Sequence, residues 1–429
     1  MSGSYIKMTE EELKKELKIE EEKYMDFKNL SLNLNMSRGK PSSDQLDITL
    51  PMMDVLDSES DYQSDVDCRN YGELDGIPEA KALIADVLSV DPAQVIVCGN
   101  SSLNIMFDTI TKAYINGILG NKPWKDQGDV KFLCPVPVYD RHFGILEYFG
   151  IDMVNVPMNS DGPDMDVVES YVNNDPSVKG IWCVPKYSNP TGITYSDEVV
   201  RRFAALEPAA DDFRIFWDNA YYVHDLYEDR KDNLISLFDE LKKTGREDMA
   251  YMYFSTSKIS FAGAGIGAVV ASENNVKDLK SHMKWQTIGY DKINQLRHAR
   301  YFKDADGIAD HMKKHAEYIR PKFEIVLKVL DEELSGHDIC SWTNPNGGYF
   351  ISFDSMDGCA KEIVRMAREA GVVMTGAGAT FPYGKDPKDS NIRIAPTDAT
   401  VEDLEDATDL FVNCVKIVSI KKLLSEKRS

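Results

Sequence analysis

The hydrophobic pattern changes period several times along the 429-residue chain. Residues 8–29 place apolar side chains at helical spacing among Glu and Lys, which predicts an amphipathic surface helix. Thr9, followed three residues later by Glu12, forms a capping box at its start. The next stretch, LSLNLNMSRGKPSS, loses that period and ends in a Gly/Pro/Ser loop. From about residue 78 to 300, short apolar runs alternate with helical stretches. The runs QVIVCG, VKFLCPV, GIWCVP, FRIFWDN and AYMYFST are apolar without alternation, so they predict strands buried on both faces. Helices are predicted over 79–90, over SLNIMFDTITKAYINGIL and around YDRHFGILEYFG. Such alternation predicts a three-layer α/β/α large domain with a mostly parallel sheet. After residue 300 a long helical stretch, 304–334, precedes GGYFISFDS, the helix GCAKEIVRMAREAG and the strands VVMTG and NIRIAP. This order predicts a smaller α+β domain, closed by the helix TVEDLEDATDLFVNCVKIVSIKKLLSEK.

Composition narrows the class. Hydrophobic residues make up 43% of the chain, enough for a large core and too many for a disordered protein. No apolar run approaches the roughly 20 residues that span a bilayer, and the acidic N-terminus does not fit a secretory signal. The seven cysteines are scattered, and none forms a C-x-x-C pair. That pattern fits free thiols in the cytoplasm and predicts neither a disulfide framework nor a metal site. A formal net charge of −22 disfavours nucleic acid and anionic membrane as partners. It leaves small-molecule substrates open, because a local pocket can be basic inside an acidic protein.

In open α/β sheets ligands collect at the carboxyl ends of the strands, so the residues that follow each apolar run matter most. After VIVCG come Asn100, Ser101 and Ser102, opening a helix whose free N–H groups and dipole suit a phosphate. After VKFLCPV comes Tyr139. After GIWCVP comes Asn189, in NPTG; after FRIFW come Asp218 and Tyr221; after YMYF come Ser255, Ser257 and Lys258. Each alone has an ordinary use: a turn, a helix cap, a core ring or a solvated charge. The ordered set at successive strand ends is what points to chemistry. Gly263, Gly265 and Gly267 next to the lysine do not fit a dinucleotide loop, because a strand-like run, AVVASENN, follows them where a helix is required.

These segments resemble the fold type I aminotransferases, pyridoxal-phosphate enzymes related to aspartate aminotransferase. The resemblance runs from residue 71 to 393, about three quarters of the chain, and includes NYGELDGIPEAKALIADVL, NPTG, DNAY, STSK, NPNGGYF and NIRIAP. SRGKP, GNSSLN and STSKISFAGAGIG look closest to a divergent bacterial branch of the aspartate aminotransferases. It implies that Lys258 is the Schiff-base lysine and proton shuttle for pyridoxal 5′-phosphate, with Asp218 paired to the pyridine N–H and Asn189 and Tyr221 at the ring's phenolic oxygen. It implies Tyr139 on the ring face and Ser101, Ser102, Ser255 and Ser257 at the phosphate. Tyr71 would reach the phosphate of the neighbouring subunit in a homodimer with shared active sites. Arg393 would bind the α-carboxylate of amino-acid and 2-oxo-acid substrates as a two-pronged fork, with Gly39 and Asn189 beside it. The glycines would be packing space around the cofactor. The implied division is residues 50–305 as the large cofactor-binding domain, and 1–49 with 306–429 as the small domain carrying the N-terminal helix.

Two features depart from the family pattern. Ile266 stands eight residues after the lysine, where the family has an arginine for the phosphate; Lys292 and Arg297 are candidate substitutes. The distal carboxylate of a dicarboxylic substrate has four candidate partners, Arg38, Lys40, Arg141 and Lys292, none of which stands out. The expected reaction is L-aspartate plus 2-oxoglutarate to oxaloacetate plus L-glutamate, by a ping-pong cycle. The alternatives are 2-aminoadipate, kynurenine or another large amino acid as donor, and, in another class, a non-catalytic effector-binding protein. The last is disfavoured because the first 30 residues form one acidic helix, with no DNA-binding unit, and because Lys258, Asp218 and Arg393 are all present.

Overall fold

The computed structural model describes residues 3–428. Its centre is an eight-stranded sheet, in the spatial order Val95–Val97, Gly267–Ala271, Ala250–Ser255, Arg214–Asp218, Val178–Cys183, Lys131–Val136, Asp152–Asn159, Gly162–Pro163. From Asp152–Asn159 across to Ala250–Ser255 the five adjacent strands are parallel. Gly267–Ala271 is antiparallel to both its neighbours. A parallel return needs a crossover of a dozen or more residues, usually through a helix. The segment between Ser255 and Gly267 is a short non-helical loop, so the chain comes straight back.

The strand Asp152–Asn159 and the helices Met165–Val172, Asp197–Ala204, Leu237–Thr244 and Glu273–Gln286 were not expected from the pattern. DMVNVPMN carries a proline and mixes exposed with buried positions near the sheet edge, so it lacks a continuous apolar run.

The smaller unit holds a three-stranded antiparallel sheet, Cys340–Trp342, Ile351–Ser355 and Asn391–Ile394, in which Ser352 pairs with Arg393. The helices Ala305–Leu334, Ala360–Glu369 and Val401–Glu426 belong with it. Glu10–Asn29 packs along Val401–Glu426, and its start carries the expected box, with Glu12 N–H donating to Thr9 Oγ1 at 3.3 Å and Thr9 N–H to Glu12 Oε2 at 2.7 Å. Within the stretch that loses the helical period, Leu34–Asn35 forms a short parallel pair with Val372–Val373. VVMTG is reduced to those two residues of strand.

Alternate residues of each central strand face opposite layers, so Phe132, Trp182 and Phe216 enter one apolar cluster and Leu133, Ile181 and Trp217 the other. The first cluster runs on without a break to Phe353, Ile392 and Phe411 of the smaller unit. Every cysteine is a free thiol. Among the described residues no helix is long and apolar enough to cross a membrane, and no His/Cys/Asp/Glu cluster could hold a metal ion.

Candidate active site

The parallel strands end along one edge of the sheet, and the residues following them converge there. Asp218 closes Arg214–Asp218 and is 2% exposed. Its Oδ2 accepts from His142 Nε2–H at 3.2 Å, while Oδ1 is buried with no hydrogen-bond partner. The His142 ring is held flat against Trp182, with centroids 4.4 Å apart and planes 10° from parallel. A buried carboxylate oxygen without a donor is costly, so it marks the place where an N–H group of a ligand belongs.

Lys258 sits half-buried on a tight turn after Ala250–Ser255. Ile259 N–H and Ser260 N–H both donate to the Thr256 carbonyl, at 2.9 and 2.8 Å. Thr256 also closes the loop, its N–H bonding Ile266 O and its hydroxyl accepting from Ile266 N–H, each at 2.9 Å. Lys258 Nζ lies 4.9 Å from the centroid of the Tyr221 ring. Burial, and then the charge of Asp218, push the Tyr221 phenol up; Arg393 and a hydrogen bond with Asn189 act against them. The half-buried Tyr139, edge-on to His142 at 5.3 Å, is pushed up to about 12, mainly by burial.

Arg393 is brought in from the smaller sheet and is 9% exposed. Its Nη1 donates to Asp140 Oδ1 at 3.3 Å and Asn189 Oδ1 at 3.4 Å, and its Nε to Thr375 Oγ1 at 3.4 Å. The guanidinium lies 4.9 Å above the Phe350 ring. That ring also fixes Gly39, where a Cβ would come within 2.1 Å of Phe350 Cζ. Any side chain at residue 39 would displace the ring that carries Arg393.

Ser101 is the N-cap of helix Ser102–Asn116, and Ser102 is buried. Ser255 Oγ and Ser257 Oγ are 3.2 Å apart, and Ser257 donates to Asn100 O at 3.4 Å, so the cradle closes on itself. Gly265 and Gly267 are tight: a Cβ would meet Thr256 Oγ1 at 3.0 Å and Ile105 Cδ1 at 2.8 Å. Gly263 has nothing within 4 Å, so close packing explains two of the three glycines.

Ile266 is 2% exposed in the apolar core. Lys292 donates to Gly72 O at 3.1 Å. Arg297 lines a cavity of about 310 Å³ together with Asn100 and the glycine loop, and its guanidinium donates to Asn294 Oδ1 through Nη2 and to Met53 Sδ through Nη1. Among the four distal candidates, Lys40 pairs with Asp398 at 3.2 Å, Lys292 is taken by Gly72, and Arg38 and Arg141 are exposed. Tyr71 is 79% exposed and shares none of the contacts that join the other site residues.

Three buried histidines, His224, His298 and His311, meet the lysine turn, and a fourth, His315, lies behind His311. Burial holds His224 and His315 down at about 3, and His298 and His311 at about 4, all below the ordinary value. Neighbouring charge deepens the effect: Lys258 and Lys186 act on His224, Arg297 on His298, Lys314 on His311, and His311 and His224 on His315, while Asp291 opposes it at His298. An unfolded histidine binds its proton near pH 6.5 and the folded ones do not, so their stabilisation is complete above that pH and is lost as pH falls toward 4. The unfolding free energy of the cofactor-free protein is expected to drop between pH 7 and pH 5 by roughly 2 kcal/mol per histidine before coupling, read as a lower urea midpoint. A flat midpoint over that range would show that these rings are not buried neutral.

Several members of this site carried no signal of their own in the sequence. His142 and Asp140 follow Tyr139 directly in YDRH, so the helix start after that strand could have pointed to them. Phe350, Thr375 and His224 join only through the fold.

Residues 8–427 match the family profile described as Aspartate amino-transferase. The chain belongs to the aspartate aminotransferase family. An aspartate aminotransferase of Corynebacterium glutamicum is 45% identical over 92% of this chain and 92% of its own length. A putative aminotransferase of Mycolicibacterium smegmatis is 43% identical over 99% of this chain and all of its own. The crystal structure of an aspartate transaminase from Corynebacterium glutamicum superposes with a TM-score of 0.95 at 43% identity, covering 99% of this chain and all of that one. The mixed, mostly parallel sheet with a small antiparallel sheet is thus the fold of this aminotransferase family.

Proposed function

We propose that this aminotransferase carries pyridoxal 5′-phosphate on Lys258 and transfers the amino group of L-aspartate to 2-oxoglutarate by a ping-pong cycle. The observation that carries the reading is the unpartnered Asp218 Oδ1, 2% exposed and at the same strand edge as Lys258, Tyr221 and Asn189. The similarity to aspartate aminotransferases at 43–45% identity supports the choice of donor.

When bound, the cofactor supplies the electron sink for the α-carbon. Asp218, braced by His142, holds a proton on the ring nitrogen through a charge-assisted hydrogen bond. Asn189 and Tyr221 orient the ring's phenolic oxygen, and Tyr139 covers one face. Lys258 Nζ moves the proton at the substrate α-carbon, and Tyr221 keeps the amine within reach. Ser101, Ser102, Ser255 and Ser257 take the phosphate at the helix N-terminus. We take residues 50–305 as the cofactor-binding domain, and Tyr71, exposed on the surface, as the residue a homodimer would place at its partner's phosphate.

Arg393 binds the α-carboxylate with the fork that Asp140, Asn189 and Phe350 hold in place. Arg393→Lys keeps the charge and loses the fork. KM for both aspartate and 2-oxoglutarate is expected to rise about 100-fold, roughly 3 kcal/mol of binding, with a smaller change in kcat. Unchanged KM for both substrates would remove Arg393 from this role.

The reading as a whole is tested with a panel of amino donors, following the visible absorption of the loaded enzyme. Aspartate should bleach the band and give the highest kcat/KM with 2-oxoglutarate. Silence toward every amino acid defeats the reading; a higher kcat/KM for 2-aminoadipate or kynurenine overturns the choice of donor.

A further inference from the structure

The turn that bears Lys258 is gripped by three buried histidines from three separate elements. His224, in the loop after Arg214–Asp218, puts Nε2 3.3 Å from the Lys258 carbonyl. His311, on Ala305–Leu334, puts Nε2 2.9 Å from the Ile259 carbonyl. His298, on Lys292–Phe302, puts Nδ1 2.8 Å from Asn294 O, and Nε2 2.8 Å from Ser260 Oγ and 3.2 Å from Thr256 Oγ1. A carbonyl only accepts, so the ring nitrogen facing each one carries the hydrogen. His298 Nε2 is left to accept from Ser260.

His311 is linked further. His315, one helical turn on, lies 3.0 Å away between the two Nε2 atoms. The Gln45 side-chain amide nitrogen is 2.9 Å from His315 Nδ1 and 2.6 Å from the Tyr349 hydroxyl. Thr49 Oγ1 is 3.2 Å from His311 Nε2. Gln45 and Thr49 are fully buried and follow the segment in which Gly39 packs on Phe350. With His311 Nε2–H turned to Ile259 O, His315 Nε2 accepts from that same hydrogen, His315 Nδ1 carries the other, and the Gln45 amide meets it with its oxygen, so buried contacts run from the Ile259 carbonyl through His311 and His315 to Gln45. They connect the lysine turn to the N-terminal segment beside Arg393.

We propose that His311, backed by His315 and Gln45, is a positioning residue that fixes the Lys258 turn through the Ile259 carbonyl and sets it in register with the Gly39 segment. A lysine amine rides on a flexible four-carbon stem, so its reach is only as defined as the backbone beneath it. A misplacement of about 1 Å at a reacting group costs on the order of 100-fold in rate. The kinetic part of the proposal rests on Lys258 being the reactive lysine; the mechanical part does not.

The test uses the full chain with His311→Leu, His311→Gln, Gln45→Leu and, for comparison, Val326→Ala, a core change on the same helix. In cofactor-free protein, hydrogen exchange over 255–262 should speed up about tenfold in His311→Leu and in Gln45→Leu. It should stay near wild type in His311→Gln, whose amide can still donate to Ile259 O, and in Val326→Ala. In loaded enzyme His311→Leu should lower kcat about 10- to 100-fold with KM for aspartate within twofold, and His311→Gln should recover most of it. If His311→Leu does not fold, Gln45→Leu decides by the same two readouts. Exchange no faster in His311→Leu or Gln45→Leu than in Val326→Ala overturns the proposal, and so does an unchanged kcat. Should Lys258→Ala itself retain turnover, the functional reading fails, while the exchange experiment still stands on its own.

Discussion

Lys258→Ala is expected to remove both the visible absorption band and turnover, with kcat falling at least about 10⁵-fold. The amine is asked to hold the cofactor and to move the proton at the α-carbon, and removing groups that act as a unit costs rates on this scale. Lys186, the other lysine acting on His224, does not stand in, because it is paired with Asp225 at 3.0 Å. The imidazoles of His224 and His311 are turned to backbone carbonyls, and His142 is committed to Asp218. The fold should survive, since Lys258 is half-buried and its turn is closed by Thr256, Ser260 and Ile266, none of which is changed. The measurement is single-turnover bleaching with L-aspartate alongside thermal unfolding. Turnover within 100-fold of wild type in a folded variant would refute the role of Lys258.

Asp218→Asn is the second large effect. The replacement is isosteric, and its side-chain oxygen can still meet His142. What disappears is the negative charge that favours a proton on the ring nitrogen, and kcat is expected to fall about 10³-fold, roughly 4 kcal/mol. Stability should move the other way. In the cofactor-free protein Asp218 buries a charge with one oxygen unpartnered, so Asn should leave the unfolding free energy unchanged or raise it by about 1 kcal/mol. A residue conserving structure alone would lose both together. A stable variant with near-normal kcat would exclude the pairing of Asp218 with the cofactor nitrogen.

The large domain was legible because its central strands are buried on both faces. Continuous apolar runs such as AYMYFS have few other uses, and their ends locate Asp218, Asn189 and the lysine turn without any knowledge of pairing. The strand Asp152–Asn159, next to the sheet edge and half in water, left no such run. The direction of Gly267–Ala271 was likewise hidden, because strand direction depends on the length and shape of the connection and leaves the apolar pattern unchanged.

The sequence by itself determined which residue types stand at each strand end, and hence the lysine, the carboxylate, the amide, the phenol and the distant arginine. It also showed an isoleucine where the resemblance calls for an arginine. Only the tertiary structure decided what holds them. Arg393 meets Asp140 across 253 positions and Asn189 across 204, and the lysine turn is gripped by histidines 34 to 52 residues away in the chain. The physical reason is that strand burial is written locally, in runs of adjacent residues, whereas a buried hydrogen bond needs one donor and one acceptor brought together from anywhere. No local pattern records which donor the fold will deliver to which carbonyl.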